Sequence, residues 1–569
     1  MDRILRRRSS LVLLGLLAAS PASAAAPKTE GLAPAEATAA ARVTAAEISA
    51  HIRFLSDDLL EGRFPGTRGS EIAIRYVATE LEGMGLKPGV PGRDGAPPSW
   101  IQNVPLVRHV STPPEAIAFR RGTEVVNLPT GPGTSARVVV RSLGDTDHVQ
   151  VKDAELVFVG YGIVAPEQGW DDYRGVDVRG KVVVLLNFNP PFAGEGVRVW
   201  YGRWDYKYME AARHGAAGAL LIHTTESASY PWQVVATSNR SVGFTLPPDP
   251  GEPLLPFQGW IAHEAAEAIF RLGGRDLGAD EAAAKDPKAK GFAGAPLGVR
   301  MSLDMPVRLE RIESANVVGL LPGTDPALRG EAVVFTAHHD HLGQRKPPVE
   351  GQRNVFGGAL DNASGCASVL AIARAAVSDP PRRSLLFVFP TAEEQGLLGS
   401  RWFARHPTVP AGHIAAVVNV DGINKWGRTT DVTALGFGRS DLDPVILAVA
   451  AAQGRTVHGD PFPDRGSYYR SDHFEFARVG IPGVSVTGGP TYRGRPPGWG
   501  KERSDEYVLH DYHQPTDEYP PSPGSWDLSG AVEDAQLDLV VGLRVANAPS
   551  LPAWKPGDEF ESARKHAQR

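Results

Sequence analysis

The sequence predicts an α/β fold: a mainly parallel mixed sheet with helices on both faces, and a β-rich domain inserted into it. Three observations support this prediction. From about residue 314 onward, apolar strand patterns alternate with helical patterns, which is typical of parallel sheets. Between residues 145 and 300 the pattern changes to short apolar strands with one short helix. Of the 569 residues, 42% are hydrophobic and 22% are charged, and these ordinary values exclude wholesale disorder.

Two helices are predicted in the first part of the sheet domain, residues 43–140. The first begins near Val43 with Thr44 as its N-terminal cap. The second extends from Gly69 to Met84 and ends before Gly85. The helical spacing predicts that the inward face of the first helix consists of Ile48, Ile52, Leu55 and Leu59.

The second part of the sheet domain, residues 305–548, alternates strands and helices. Strands are predicted at Asn316–Leu321, Ala332–Ala337, Ser384–Phe389, Ile414–Val420 and Gly483–Val486. Helices are predicted at Ala363–Ala376, Gly396–His406 and Asp443–Gln453. In open sheets of this class, ligands bind at the carboxyl ends of the strands.

The N-terminus has the organisation of a secretory signal peptide, residues 1–24. Four arginines lie between Arg3 and Arg8, an apolar run follows from Leu11 to Ala19, and Ala22-Ser23-Ala24 resembles a cleavage site. We therefore expect an exported protein, periplasmic or secreted, whose mature form has no membrane segment. Residues 25–42 are rich in alanine and proline and are predicted to form a linker. The polar residues 549–569 are predicted to form a mobile tail.

Charge and cysteine content limit the partners and cofactors. The net charge of −6 gives no reason to expect a nucleic-acid partner. Cys366 is the single cysteine, so the chain can form neither an internal disulfide nor a cysteine-based zinc site. Any metal must therefore be held by His, Asp and Glu. Cys366 lies early in an apolar helix and is interpreted as a core residue rather than a nucleophile.

The inserted segment, residues 145–300, resembles a protease-associated (PA) domain. Its matching features are the strand and turn Ala154–Gly162, the strand Gly180–Leu186, the helix Tyr206–His214 and the strand Gly218–Ile222. Domains of this kind usually cover or shape the substrate site of a peptidase and carry no chemistry of their own.

Residues that can bind metals follow several of the predicted strands. They are His338–His341, Glu393, Glu394 and Asp421, joined by the loop Gly358–Gly365 and the late segment His510–Asp517. Because the carboxyl ends of parallel strands meet at one edge of a sheet, we expect these side chains to lie close together. So many carboxylates would repel one another without a cation between them. The sequence therefore predicts a metal site at this edge.

The order of these motifs resembles that of the co-catalytic di-zinc aminopeptidases, a family whose relatives include glutamate carboxypeptidase II. The family pattern is H-x-D, then D-N/D-x-S-G, E-E, D and a late H. In this chain the matching residues are His338-His339-Asp340, Asp361-Asn362-Ala363-Ser364-Gly365, Glu393-Glu394, Asp421 and His513. The resemblance covers residues 43–140 and 305–545, and it implies a zinc exopeptidase fold with two Zn²⁺ ions per chain.

The resemblance assigns the metal ligands. His338 and Asp421 would hold one zinc ion, Glu394 and His513 would hold the other, and Asp361 would bridge both. Neutral imidazole and carboxylate are ligands that suit Zn²⁺.

The resemblance also assigns the catalytic groups. Glu393 would be the general base when metal-bound hydroxide attacks a terminal peptide bond, most simply in an aminopeptidase. Asp340 would orient the ligand His338. Tyr512 would donate a hydrogen bond to the developing oxyanion. The segment Ser471–Phe474 also resembles a family segment, in which Ser471 could cap a helix and His473 is interpreted as structural.

Three alternatives stay open at this point. His339 or His341 could be the ligand in place of His338. Cations at Arg465, Arg470 and residues 492–503 could clamp a terminal carboxylate, which would indicate a carboxypeptidase or dipeptidase. The chain could also be a metal-free binding or receptor protein on this fold. The expected partner is a peptide substrate; the sequence predicts neither the residues that bind it nor an oligomeric state.

Overall fold

A computed structural model describes residues 31–568 apart from residues 93–94, 131–134, 194–198, 229, 239–241, 249–250, 346–347, 462, 464–465 and 521–525. The predicted signal peptide, residues 1–24, lies outside the described residues. Among the helices of the described part, none has the length and apolar content needed to cross a bilayer.

The described residues form helices and strands that we number in chain order. The helices are α1 Pro34–Ala40, α2 Ala45–Leu55, α3 Arg68–Gly83, α4 Trp204–Arg213, α5 Thr225–Ala228, α6 Trp232–Ser238, α7 His263–Leu272, α8 Leu277–Ala284, α9 Ser364–Val377, α10 Leu398–Arg405, α11 Asp443–Ala452, α12 His473–Arg478, α13 Trp499–His510, α14 Ser529–Asn547 and α15 Glu561–Ala567. The strands are β1 Lys87–Pro88, β2 Ile101–Ser111, β3 Ala116–Arg121, β4 Glu124–Pro129, β5 Val138–Arg141, β6 His148–Phe158, β7 Val164–Ala165, β8 Trp170–Asp171, β9 Val182–Leu186, β10 Gly218–His223, β11 Val242–Thr245, β12 Gln258–Ala262, β13 Ala295–Leu321, β14 Ala332–Thr336, β15 Ser384–Phe389, β16 Ile414–Asn419, β17 Asp431–Leu435, β18 Thr456–His458 and β19 Gly483–Gly488.

The larger sheet has a parallel centre and antiparallel sides. Strand β14 lies between β15 and β16 and is parallel to both, so that Val334 pairs with Leu386 and with Val417. Strand β19 continues the parallel order beyond β16, while β13 and β17 pair with β15 and β19 in antiparallel orientation. Every residue of β14, β15 and β16 is buried, as expected for central strands with helices on both faces. The predicted mainly parallel mixed sheet is confirmed.

Helices cover both faces of this sheet because its strands are apolar on both sides. Val333 and Phe335 of β14 belong to a core that includes residues of α2, α3, α9 and α14. Val334, which points the other way, packs in a separate core with Phe403 of α10 and Phe476 of α12. The two layers place the carboxyl ends of the central strands at one edge, between the helices.

The N-terminal helices agree with the sequence pattern except at one position. The Thr44 hydroxyl oxygen accepts a hydrogen bond from the Glu47 N–H at 3.3 Å, so Thr44 caps α2 as predicted. Leu59 is 81% exposed, and its assignment to the inward face is wrong. The reason is that α2 ends at Leu55 and the chain then turns away. The other predicted positions on that face, Ile48, Ile52 and Leu55, are fully buried.

A second sheet, formed within residues 116–306, has a hydrophobic core of its own. Strands β6, β9, β10 and β12 run parallel in that order, and β5 is antiparallel to β12. Because β3 to β5 also pair within this sheet, the assignment of residues 116–140 to the first part of the sheet domain is wrong. Most of the segment 145–300 lies in this unit, but its strand β11 pairs with β2 of the larger sheet. Its identification as a PA domain stays a prediction.

The 27-residue strand β13 belongs to both sheets. Its first part, up to Pro306, pairs with β3 and β6 of the second sheet. Its second part pairs with β2 and β15 of the larger sheet, and the pairing with β2 extends from Val307 opposite Ser111 to Val317 opposite Ile101.

Both predicted flexible segments contain ordered structure in their described parts. Residues 34–40 of the predicted linker form α1, where Glu36 pairs with Arg544 of α14 at 2.9 Å. In the predicted tail, Trp554 and Phe560 are buried and α15 follows. The prediction of a mobile tail is therefore wrong for residues 549–568, because a few large apolar side chains anchor an otherwise polar segment.

Candidate metal centre

The polar residues predicted at the strand ends do meet at one edge of the larger sheet. Strands β14, β15 and β16 end at Thr336, Phe389 and Asn419, and the polar residues follow within two to five positions. The loop that ends β14 is buried throughout His338–His341. The five predicted ligands, which we call the ligand cluster, are His338, Asp361, Glu394, Asp421 and His513.

One half of the ligand cluster is built around His338. Its Nε2 atom lies 3.3 Å from Asp361 Oδ1 and 3.4 Å from Asp421 Oδ1. His338 is almost completely buried, whereas Asp421 is partly open to solvent. These three groups form a set that could hold one metal ion.

The other half is built around His513, which comes from the loop after α13. Its Nε2 atom lies 3.0 Å from Glu394 Oε2 and 3.2 Å from Asp361 Oδ2. Asp361 therefore presents Oδ1 to one histidine and Oδ2 to the other. A carboxylate in this position can bridge two metal ions, as predicted for it.

The distances and the donor chemistry fit zinc. Ligand atoms about 2.0–2.2 Å from a tetrahedral Zn²⁺ lie roughly 3.3–3.6 Å from one another, close to the observed separations. Within the described part of the chain, the buried Nε2 of His513 also has no hydrogen bond of acceptable geometry, although two carboxylate oxygens lie beside it. A nitrogen lone pair directed at a metal explains this arrangement better than an N–H group does.

The electrostatics of the ligand cluster favour a cation among its acids. Burial opposes charge on Asp361, but His338 and His513 hold the pKa of its carboxyl well below the usual range. Burial likewise opposes charge on both histidines, yet the facing carboxylates raise the pKa of each imidazole well above its ordinary value. A metal dication can take the place of these protons, because ligands bind it in their deprotonated forms.

The other two histidines of the strand-end motif face different partners. His339 Nε2 lies 2.9 Å from the carbonyl oxygen of Ala315, so its ring is directed away from the ligand cluster. His341 Nδ1 lies 2.7 Å from Glu394 Oε1, the oxygen opposite the one that faces His513. His341, Asp361 and Glu394 thus form a second group that could hold a metal ion. The short hydrogen bond of His341 favours a role in orienting Glu394.

Glu393 and Asp340 lie next to the ligand cluster, as predicted, but Asp340 makes an unexpected contact. Glu393 Oε2 is 3.9 Å from His338 Nε2. Burial raises the pKa of Glu393 well above its usual range, with Asp421 and Glu394 adding to the effect. Asp340 Oδ1 lies 3.7 Å from His338 Nδ1, which is too far for a hydrogen bond. It instead accepts a hydrogen bond from the Glu393 N–H at 3.0 Å.

Tyr512 and Arg470 stand on the open side of the cluster. The Tyr512 ring stacks on His513 with centroids 3.9 Å apart, and burial raises the pKa of its hydroxyl to about 12. The hydroxyl therefore keeps its proton at neutral pH and can donate a hydrogen bond. Arg470 lies within electrostatic range of Tyr512 and of Glu393. Arg465, the other predicted cation, lies outside the described residues.

Asp472 is a site residue that the sequence reasoning missed. It is completely buried near His338 and Asp421, and burial raises its pKa to about 7. The segment Ser471–Phe474, which resembles a family segment, carries the signal for this residue. Ser471 accepts a hydrogen bond from Asn419 Nδ2 at 2.8 Å and does not cap α12, whereas His473 is buried against Tyr468.

Comparison with known proteins agrees with this geometry. Residues 316–540 match the model of peptidase family M28. The vacuolar membrane protease of Lachancea thermotolerans is 27% identical over 183 residues, which cover 32% of this chain and 17% of that protein. The probable zinc metalloprotease of Pyricularia oryzae is 28% identical over 232 residues, 39% of this chain and 40% of that protein. The chain thus matches less than half the length of either relative.

A solved structure extends the likeness of fold to most of the chain. The aminopeptidase from Aneurinibacillus sp. strain AM-1 superposes with a TM-score of 0.50 at 17% identity, covering 91% of this chain and 97% of that one. At 17% identity, the superposition shows a similarity of fold alone. The segment that matches the model of peptidase family M28, residues 316–540, contains all five residues of the ligand cluster.

Proposed function

We propose that this protein is an exported two-zinc exopeptidase that removes residues from the amino end of peptides. The observation that carries the proposal is the position of Asp361, whose two carboxylate oxygens face His338 and His513 at 3.3 and 3.2 Å. A shared carboxylate of this kind fits two metal ions held close together. Export is proposed from the signal-like residues 1–24.

The ligand cluster would hold the zinc ions, with His338 and Asp421 on one, Glu394 and His513 on the other, and Asp361 on both. When bound, zinc polarises a carbonyl group and makes a water molecule acidic enough to lose its proton near neutral pH. The proposal assigns the remaining steps to the chain's own side chains.

Glu393 is proposed to accept that proton and to pass it to the departing amine. Its backbone N–H is fixed by Asp340, which connects it to the loop that carries His338. Its side chain is buried beside that imidazole, so water competes little for it. Tyr512 is proposed to donate a hydrogen bond to the oxygen that gains charge when the carbonyl is attacked.

The acidic surroundings favour a substrate with a free amino terminus. Asp421, which is partly open to solvent, adds negative charge near Glu393, and this would attract an ammonium group. Arg470 beside Tyr512 supports a second candidate, cleavage from the carboxyl end, because a guanidinium can clamp a terminal carboxylate. The two candidates differ in which blocked peptide is cleaved.

The test combines metal content with cleavage of peptides blocked at one end. We expect about two zinc ions per chain, cleavage of amidated peptides, and no cleavage of N-acetylated ones. We expect Glu393→Gln to lower kcat by about 10²–10⁴-fold while zinc content stays the same. The matched control is Glu82→Gln, which removes an exposed carboxylate on α3.

Each other result has a definite meaning. Cleavage of N-acetylated but not of amidated peptides would establish the carboxypeptidase. A chain without zinc and without hydrolysis would refute the peptidase and favour a binding protein.

A further inference from the structure

Arg63 connects three segments of the chain around the ligand cluster. Its guanidinium is 1% exposed, and the described residues that accept its hydrogen bonds all do so through backbone carbonyl groups. Nε donates to His339 at 2.9 Å, Nη1 to Gly357 at 2.7 Å and to Leu55, and Nη2 to Gly358 at 3.0 Å. The end of α2, the loop after β14 and the loop before Asp361 thus meet on one side chain.

Asp517 holds the other end of the loop that contains Asp361. Its carboxylate is 1% exposed; Oδ1 accepts a hydrogen bond from the Leu360 N–H at 3.0 Å, and Oδ2 accepts one from the Asp361 N–H at 3.1 Å. Its backbone carbonyl accepts a third from the Ala359 N–H at 3.2 Å. The Tyr507 hydroxyl donates to Oδ2 at 3.2 Å, which anchors the carboxylate to α13.

The two side chains therefore bind consecutive parts of one five-residue loop, Gly357–Asp361. Arg63 binds the carbonyl groups of Gly357 and Gly358. Asp517 binds the next three N–H groups, that of Ala359 through its backbone carbonyl and those of Leu360 and Asp361 through its carboxylate. Hydrogen bonds to charged groups are stronger than those between neutral groups, and buried ones are costly to leave unmade. Arg63 and Asp517 together, which we call the loop clamp, fix the backbone from which Asp361 projects.

The loop clamp also reaches the two histidines that Asp361 faces. Arg63 binds the carbonyl group of His339, which is next to His338. Asp517 lies four residues after His513, and its N–H donates to the Gln514 carbonyl, closing the turn between them. Moving either clamp residue would shift Asp361 relative to at least one histidine.

We propose that Arg63 and Asp517 are positioning residues for the shared ligand Asp361, holding its two oxygens toward His338 and His513 at once. The inference rests on the proposed function, in which Asp361 is a ligand shared by two metal ions. The competing explanation is that the clamp contributes to folding stability and has no effect on metal binding.

The test measures zinc affinity by competition with a chromophoric chelator, together with the visible spectrum of the Co²⁺-loaded protein, kcat and KM. The variants of the full chain are Asp517→Ala, Asp517→Asn and Arg63→Lys. The control is Glu518→Gln, which removes the adjacent, half-exposed carboxylate that pairs with Arg353 at 2.7 Å.

For Asp517→Ala we expect zinc affinity for the weaker site to fall by about 10–100-fold, with a changed Co²⁺ spectrum and a lower kcat at unchanged KM. Asp517→Asn keeps one acceptor oxygen, so its losses should lie between those of Asp517→Ala and the wild type. Arg63→Lys cannot span the same carbonyl groups and should resemble Asp517→Ala. Loss of the guanidinium could prevent folding. The comparison of Asp517→Ala with Asp517→Asn therefore decides whether the loop clamp positions Asp361.

Wild-type zinc affinity and an unchanged Co²⁺ spectrum in Asp517→Ala, with a lower melting temperature alone, would overturn the inference. Failure of the proposed function has a different signature: the wild-type chain itself would bind no zinc and cleave no peptide. Equal losses in Glu518→Gln would also overturn the inference, since they would come from charge rather than from the hydrogen bonds.

Discussion

At the scale of single residues, the contact between α14 and the sheet leaves no room at Gly542. A β-carbon added there would lie 2.2 Å from Cζ of the buried Phe335. We expect Gly542→Ala to lower the free energy of unfolding by about 1–3 kcal/mol, because the core must shift to admit a methyl group. Urea unfolding followed by circular dichroism measures the change.

Gly83, an exposed glycine at the end of α3, is the matched control for that substitution. A β-carbon there would meet no atom within 4 Å. We expect Gly83→Ala to raise the free energy of unfolding by about 0.5–1 kcal/mol, since alanine loses less backbone freedom on folding. A stabilised Gly542→Ala variant would contradict the tight packing.

His338, Glu393 and Asp421 could be predicted from the residues alone because each one follows a strand, whereas Asp361 and His513 are predicted only through the order of the family motifs. An apolar run that stops at His338, Glu393 or Asp421 is a local signal, and parallel strands bring such signals together. Arg63 and Asp517 gave no comparable signal. A buried arginine that binds carbonyl groups has no sequence pattern of its own, and its partners lie up to 295 positions away.

At the scale of elements, the C-terminal segment is held by an aromatic anchor. Trp554 is 4% exposed, its indole N–H donates to the Gly480 carbonyl at 2.9 Å, and the Arg439 guanidinium lies over its ring and that of Phe560. We expect Trp554→Ala to cost about 3–5 kcal/mol of unfolding free energy in denaturant titration. Lys565→Ala, on the exposed side of α15, should change it by less than about 0.5 kcal/mol.

The central strands β14, β15 and β16 were predictable to within one residue, whereas the start of β13 and the segments at the ends of the chain were not. Strands such as Ser384–Phe389 can be recognised in the sequence as unbroken apolar runs between turn signals. The helix Pro34–Ala40 contains four alanines and a single charged residue, Glu36, and no local pattern distinguishes it from a linker. Its contacts with α14 come from the other end of the chain, so tertiary packing determines it.

At the scale of the whole molecule, metal removal should affect one unit more than the other. We expect a chelator to speed hydrogen exchange in residues 338–343, 357–363, 392–397 and 511–517, and to leave β9 and β10 unchanged. Bound zinc stabilises the folded state by about 2.7 kcal/mol when its free concentration is 100 times the Kd. If the chelator sped hydrogen exchange equally in β10, or in no segment, the prediction that metal stabilises only the segments around the ligand cluster would be wrong.

The strand β13 also has a mechanical consequence. Hinged domains usually turn about a few residues in a loop, but here one continuous strand, paired along its second part with β2, carries the connection. If the unit that contains the second sheet rotated, the paired strands β2 and β13 would have to bend or twist, because no flexible loop takes up the motion at β13. We therefore expect the two units to move as an elastic beam moves, with small amplitude and a restoring force.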